Sequence, residues 1–241
     1  MQLKTYFQII GAAAAFLCMP AVADVTVGLP ADSSTGNAYP FGSFYSGQYQ
    51  QVYTASAFSG PITISDLEFF NTQSDSGATS MTSGNWTISL STTSADWNTL
   101  SSTYSSNIGG DNTQVFSGNL TQPWAFGDTL QINLSTPFAY NPANGNLLMD
   151  VMVSGVSEPG GADIFFDTNG FNNGTENGNT IMGRVYFNTF FSQNIVDSGY
   201  GLVTGFSTVA AIPEPDIYVM MGIGLALMGF VARRGKLMEA A

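Results

Sequence analysis

Histidine is absent from all 241 residues, and the one cysteine is Cys18. Without imidazole there is no Ser-His-Asp or Cys-His arrangement, and the common zinc sites lose their ligands. Cations are almost as scarce, with five Lys and Arg against 17 Asp and Glu for a net charge of −12. Of the cations only Arg184 lies between residues 24 and 212. Three of the 17 carboxylates (Glu214, Asp216 and Glu239) lie beyond that stretch, so 14 remain in it against one cation. Such a body repels phosphates and anionic headgroups, which excludes nucleic acid as a partner. It has no lysine for a Ser-x-x-Lys site, and no Gly-x-Ser-x-Gly elbow occurs. Helical periodicity is missing too, since no ten-residue window of the body reads as an amphipathic helix.

What the body has instead is alternation. Trp86-Thr87-Ile88-Ser89-Leu90 and Leu130-Gln131-Ile132-Asn133-Leu134 alternate strictly, and Ile62-Thr63-Ile64 opens a third run. A period of two is that of a half-buried strand. In the third run the apolar phase shifts from Ile62/Ile64 to Leu67/Phe69 across Asp66, which predicts a β-bulge. Residues 147–153 are apolar on both faces save Asp150, as in a strand covered on both sides. Further strands are expected over 50–58, 114–120, 162–166, 183–187 and 201–209. Turn-forming clusters such as Ser59-Gly60-Pro61, Gly109-Gly110-Asp111-Asn112 and Glu158-Pro159-Gly160-Gly161 separate the runs. The expectation for residues 24–209 is all-β: an antiparallel two-sheet β-sandwich, jelly-roll or immunoglobulin-like.

The two ends carry addresses. Residues 1–23 read as a signal peptide, with Lys4 in the charged region, an apolar core over 7–18, and Ala21-Val22-Ala23 as the site for signal peptidase. Cleavage after Ala23 leaves a mature chain without cysteine, hence without disulfides. Near the other end, residues 210–216 contain Pro213-Glu214-Pro215, where the prolines hold the backbone extended. An uncharged run over 217–232 follows, then Arg233-Arg234-Gly235-Lys236. As a helix that run reaches ~24 Å against a hydrocarbon layer of ~30 Å, so it spans with local thinning. The basic cluster stays cytoplasmic.

The order Pro-Glu-Pro, apolar helix bearing Gly222 and Gly224, then Arg233-Arg234 resembles the PEP-CTERM sorting signal of Gram-negative bacteria. The resemblance implies that residues 217–241 are a transmembrane sorting segment with a basic tail. It also implies processing by exosortase, a membrane-embedded transpeptidase-like enzyme. The chain is then exported, held at the inner membrane transiently, and delivered to the cell surface or extracellular matrix. On this reading it is a non-enzymatic matrix protein associated with exopolysaccharide or biofilm. The alternatives are a carbohydrate-binding module and, behind it, a glycosidase.

Three groups of residues are candidates for chemistry. Asp66 and Glu68 have same-face strand spacing, the one carboxylate pair a glycosidase would use, although solvated positions on an outer sheet face explain them as well. Asp163, Asp167, Asn169 and Glu176, in the loop over 163–179, are hard oxygen donors of the kind calcium takes. The EF-hand pattern does not fit there, because counting from Asp167 the sixth position is Asn172 and the twelfth Gly178. No other cofactor is expected. Tyr45, Tyr49 and Tyr53 share one strand face, which would stack sugar rings if exposed, with Trp97 as a second platform. The ordinary use of such tyrosines is to line a core with their hydroxyls at the rim, and that use is favoured.

Overall fold

The computed structural model describes residues 24–31, 36–43, 46–81, 83–157, 162–172, 175–176 and 180–209, together with 221, 222, 224, 225 and 228. The expected signal peptide, with Ala21 and Ala23, lies outside these residues. So do Tyr45, the linker 210–216, and the sorting residues Pro213, Glu214, Pro215, Arg233 and Arg234. The chain divides into two units, Met1–Val209 and Ala210–Ala241.

In the first unit the described residues form fifteen strands: β1 (Val25–Val27), β2 (Gly36–Asn37), β3 (Gly47–Tyr53), β4 (Ile62–Phe70), β5 (Asn85–Thr93), β6 (Thr113–Gly118), β7 (Thr129–Tyr140), β8 (Asn146–Ser154), β9 (Phe166–Asn169), β10 (Phe171–Asn172), β11 (Thr175–Glu176), β12 (Met182–Asn188), β13 (Gln193–Ser198), β14 (Gly201–Leu202) and β15 (Thr204–Val209). One sheet runs β1-β15-β4-β7 and a larger one β13-β12-β3-β8-β5-β6, flanked by a small sheet β14-β9-β2 and the pair β10-β11. Every pairing is antiparallel.

Four of the pairings nest along the chain: β5 with β6, enclosed by β4 with β7, then β3 with β8, then β1 with β15. Successive pairs alternate between the larger and the four-stranded sheet. The chain thus behaves as one long antiparallel ribbon wound on itself, and β12 and β13 extend the larger sheet beyond β3.

Both sheets turn their apolar sides to one core. Ile64, Leu67, Phe69, Leu130, Ile132 and Phe206 come from the four-stranded sheet, and Tyr53, Trp86, Ile88, Leu90, Met149 and Val151 from the other. Across the gap the Tyr53 and Phe206 rings meet edge to face at 5.0 Å. Phe41, in the turn after β2, sits 4.5 Å from the Phe69 ring. The Trp86 indole N–H, which burial would otherwise strand, donates to the Pro40 carbonyl at 3.0 Å.

β8 is buried on both faces from Leu147 to Val151. Its outward Leu148 packs with Val52 and Leu100 in a second, smaller cluster flanked by Ala95, Ile108 and Val196. The β5–β6 connection supplies that cover, and it lies so close that a Cβ on Gly183 would overlap the Trp97 carbonyl. The expected bulge is present: the register of β4 shifts between Ile64 and Asp66 against β7, and β15 shifts opposite it between Ser207 and Thr208.

Three strand boundaries differ from expectation. The run over 50–58 is β3 ending at Tyr53, followed by a 3-10 turn at Ala55–Ala57 whose first amide donates to Asn146 Oδ1 at 2.8 Å. The strand expected over 162–166 begins instead at Phe166, because Ile164 N is taken by the Gly42 carbonyl (2.9 Å) in a loop-to-loop contact. The single strand expected over 201–209 is two. β14 pairs with β9 and β15 with β4, and between them Val203 N donates to Asp167 O at 2.9 Å.

In the second unit residues 221, 222, 224, 225 and 228 are helical, within the run expected to be a helix, and Met221, Leu225 and Met228 are exposed. Among the described residues no helix is long and apolar enough to cross a membrane.

Candidate functional site

The structure separates most of the residues that the sequence offered as sites. Tyr49 and Tyr53 are 1% and 0% exposed, in the core. Their hydroxyls are used there, Tyr49 donating to Gln51 Oε1 and Tyr53 bonding to Thr204 Oγ1. A ring with no free face cannot stack a sugar, which corrects the platform reading of both and agrees with the core reading. Burial pushes both phenols up from their ordinary value. Trp97 is half-buried within the β5–β6 cover.

Asp167 is buried and its carboxylate is already employed. Oδ1 accepts from the amides of Thr72 (2.7 Å) and Gln73 (3.0 Å), and Oδ2 from the Thr72 hydroxyl (2.6 Å). Asn169 donates its amide to Pro30 O at 2.6 Å. Asp163 is half-buried, and the Glu176 side chain lies outside the described residues. Among the described residues no group of three or more acidic, histidine or cysteine side chains converges on a point. Asp66 and Glu68 lie on the outer face of β4, each partly exposed and each accepting from a serine, Ser65 at 2.7 Å and Ser207 at 3.1 Å.

A different set of residues does converge, at the end of the larger sheet where β12 turns into β13. The turn is four residues long, 189–192, closed by the Asn188–Gln193 pair. Asn188 Oδ1 accepts from Phe191 N (3.1 Å), and Ser192 takes a left-handed φ of 52° to re-enter the strand. This local bonding holds Phe190 and Phe191 out into solvent, 87% and 61% exposed, with rings edge to face 5.0 Å apart. Beside them is a cleft of about 160 Å³ lined by Tyr39, Tyr186, Asn188, Thr189 and Phe190. The Tyr39 and Tyr186 ring centroids are 5.7 Å apart.

The cleft rests on Arg184, the body's single cation. Its guanidinium lies 4.5 Å from the Tyr186 ring centroid and 4.2 Å from that of Tyr200. Asp197 Oδ2 accepts from both Nη2 (2.8 Å) and Nε (2.9 Å), while Nη1 is buried with no hydrogen-bond partner. Burial opposes this charge, but the phenols of Tyr49 and Tyr200 and the Asp197 carboxylate favour it, and its pKa stands above the ordinary arginine value. The cation therefore fixes Tyr186 from behind while staying out of the cleft.

Sequence reasoning did not single out Tyr186, Asn188, Thr189 or Phe190. The available signal was Phe190-Phe191, an apolar pair in a polar turn between Asn188-Thr189 and Ser192-Gln193.

A family model described as the PEP-CTERM protein-sorting motif matches residues 211–235. No curated protein matches the chain. Among solved structures, the chain is similar to one from the T13 particle of the virus IBDV, at 11% identity and a TM-score of 0.24. The match covers 83% of this chain but 41% of that one, too distant for any argument from it.

Proposed function

We propose, for a chain that carries the PEP-CTERM sorting motif over residues 211–235, a non-enzymatic matrix protein that exosortase processes and releases to associate with exopolysaccharide or biofilm. The motif itself implies export, sorting by exosortase, and a cell-surface or extracellular destination. The finer steps are the signal peptide over residues 1–23, an inner-membrane intermediate held by residues 217–241, and release of the body.

The observation that carries the reading is the order Pro213-Glu214-Pro215, uncharged run, Arg233-Arg234. A proline-held segment is extended and offers its backbone to a protease cleft. The nested strand pairings support a jelly-roll sandwich for residues 24–209 rather than an immunoglobulin-like one. The absence of histidine and the serine-bonded, outward Asp66 and Glu68 support a body without catalysis. The test is fractionation of a producing strain and of one lacking exosortase. The body is expected in the matrix or medium of the first and held at the membrane in the second. The same distribution in both strains contradicts exosortase sorting.

A further inference from the structure

The β12–β13 turn and the cleft beside it point to a ligand that is apolar on one side and hydroxylated on another. The cleft is lined by two tyrosine rings and Phe190, together with an amide and a hydroxyl from Asn188 and Thr189. Aromatic walls with a few placed polar groups are the usual make-up of a small-molecule site, and here polar and apolar surface share the lining almost evenly. An aliphatic occupant would cover the Thr189 hydroxyl and the Asn188 amide N–H groups while offering them no partner, since only Asn188 Oδ1 is already engaged, by Phe191 N. A purely polar occupant would leave the Phe190 ring, 87% exposed, in water.

Size narrows the choice. The cleft is open to solvent and measures about 160 Å³, well under the ~300–1,000 Å³ of a drug-sized pocket, so it holds no more than one ring-sized unit. Charge narrows it again. The one cation among the described residues, Arg184, is buried, stacked on Tyr186 and engaged by Asp197, in a chain of net charge −12. An anionic sugar would meet repulsion with no cation facing it.

We propose that the cleft formed by Tyr39, Tyr186, Asn188, Thr189 and Phe190 binds one pyranose unit of a neutral polysaccharide. A sugar ring has an apolar C–H face for the aromatic side chains and equatorial hydroxyls for Asn188 and Thr189. Arg184, stacked on Tyr186, holds one wall in place before the ligand arrives, which lowers the ordering cost of binding. The proposal rests on the reading that the released body meets exopolysaccharide, and it assigns that contact to one end of the larger sheet.

The test uses the full chain in mild detergent, titrated calorimetrically with four soluble neutral glycans (a β-glucan, an α-glucan, a mannan and a galactan) and with a uronate-rich glycan. Saturable binding to at least one neutral glycan is expected. Phe190→Ala and Thr189→Val should each weaken it about tenfold, with melting midpoints unchanged. Phe126→Ala, an exposed aromatic outside the cleft, should leave it as it was. No saturable binding to any of the four, binding to the uronate glycan alone, or an equal loss from Phe126→Ala would each overturn the proposal. None of these results bears on sorted delivery, which is read by fractionation.

Discussion

Asp150 sits in the middle of β8, nearly enclosed, with its Oδ1 accepting from Gln48 Nε2 at 2.8 Å. Burial pushes its carboxyl above the ordinary 3.8, against the opposing pull of the Gln48 and Gln50 amides. For an acid with a raised folded pKa, the unfolded chain ionises first. Stability is therefore unaffected well below 3.8 and is lost as pH rises through and beyond it. Asp150→Asn keeps an acceptor for Gln48 and removes the titration. The variant should melt higher than wild type at neutral pH, and the gap should close as pH falls below 3.8. A gap that does not change with pH would contradict this assignment. Arg184 presents the opposite case, a buried charge that is paired. Arg184→Met leaves Asp197, but that side chain is 32% exposed and still reaches water. The expected loss is about 2–3 kcal/mol, less than the ~3–5 kcal/mol of a fully buried pair, read from the urea midpoint. Arg184→Lys should recover part of it through the charge but not the flat stacking on Tyr186 and Tyr200.

Among the elements, the β5–β6 connection lies close over β12. A methyl on Gly183 would overlap the Trp97 carbonyl, whereas a methyl on Gly60 would meet nothing within 4 Å. Gly183→Ala should cost about 1–3 kcal/mol by overpacking. Gly60→Ala should be close to neutral, and equal urea midpoints for the two variants would refute the close packing. The same elements show what could be read in advance. β8 and the β4 bulge were legible because each writes its burial into the apolar phase of its own residues. Phe166–Asn169 was not, because its start depends on where Gly42 and Ile164 meet across the fold. The 201–209 run was divided by its neighbours, β9 and β4, which the run itself does not encode. The sequence put Tyr49 and Tyr53 on one face, and both do turn into the core, yet a face pattern does not say which way the face turns. The cleft residues come from segments nearly 150 positions apart, Tyr39 and Tyr186, and no local spacing joins them. Asp167 looked like a metal ligand for its type alone, whereas its oxygens cap the 72–73 turn.

For the whole molecule, the composition and the wound ribbon serve one setting. Residues 24–209 contain a single cation, already paired, so the exported surface is acidic and poor in mobile charge pairs. Its order comes from one shared core and from buried side-chain hydrogen bonds such as Gln51 to Leu202 (2.9 Å), which tie β3 to β14. The central claim is that this body is delivered by its tail and parted from it. On the proposed sorting route, glycines at 222, 224 and 229 would let the apolar run pack closely against the helices of a membrane-embedded processing enzyme. The direct measurement is the intact mass of the protein recovered from the medium or matrix of a producing strain. The account predicts a chain that starts at Asp24 and ends near Pro213-Glu214-Pro215, without Arg233 and Arg234. Recovery of only a membrane-bound chain that still carries both arginines would contradict it and leave a plain C-terminal anchor.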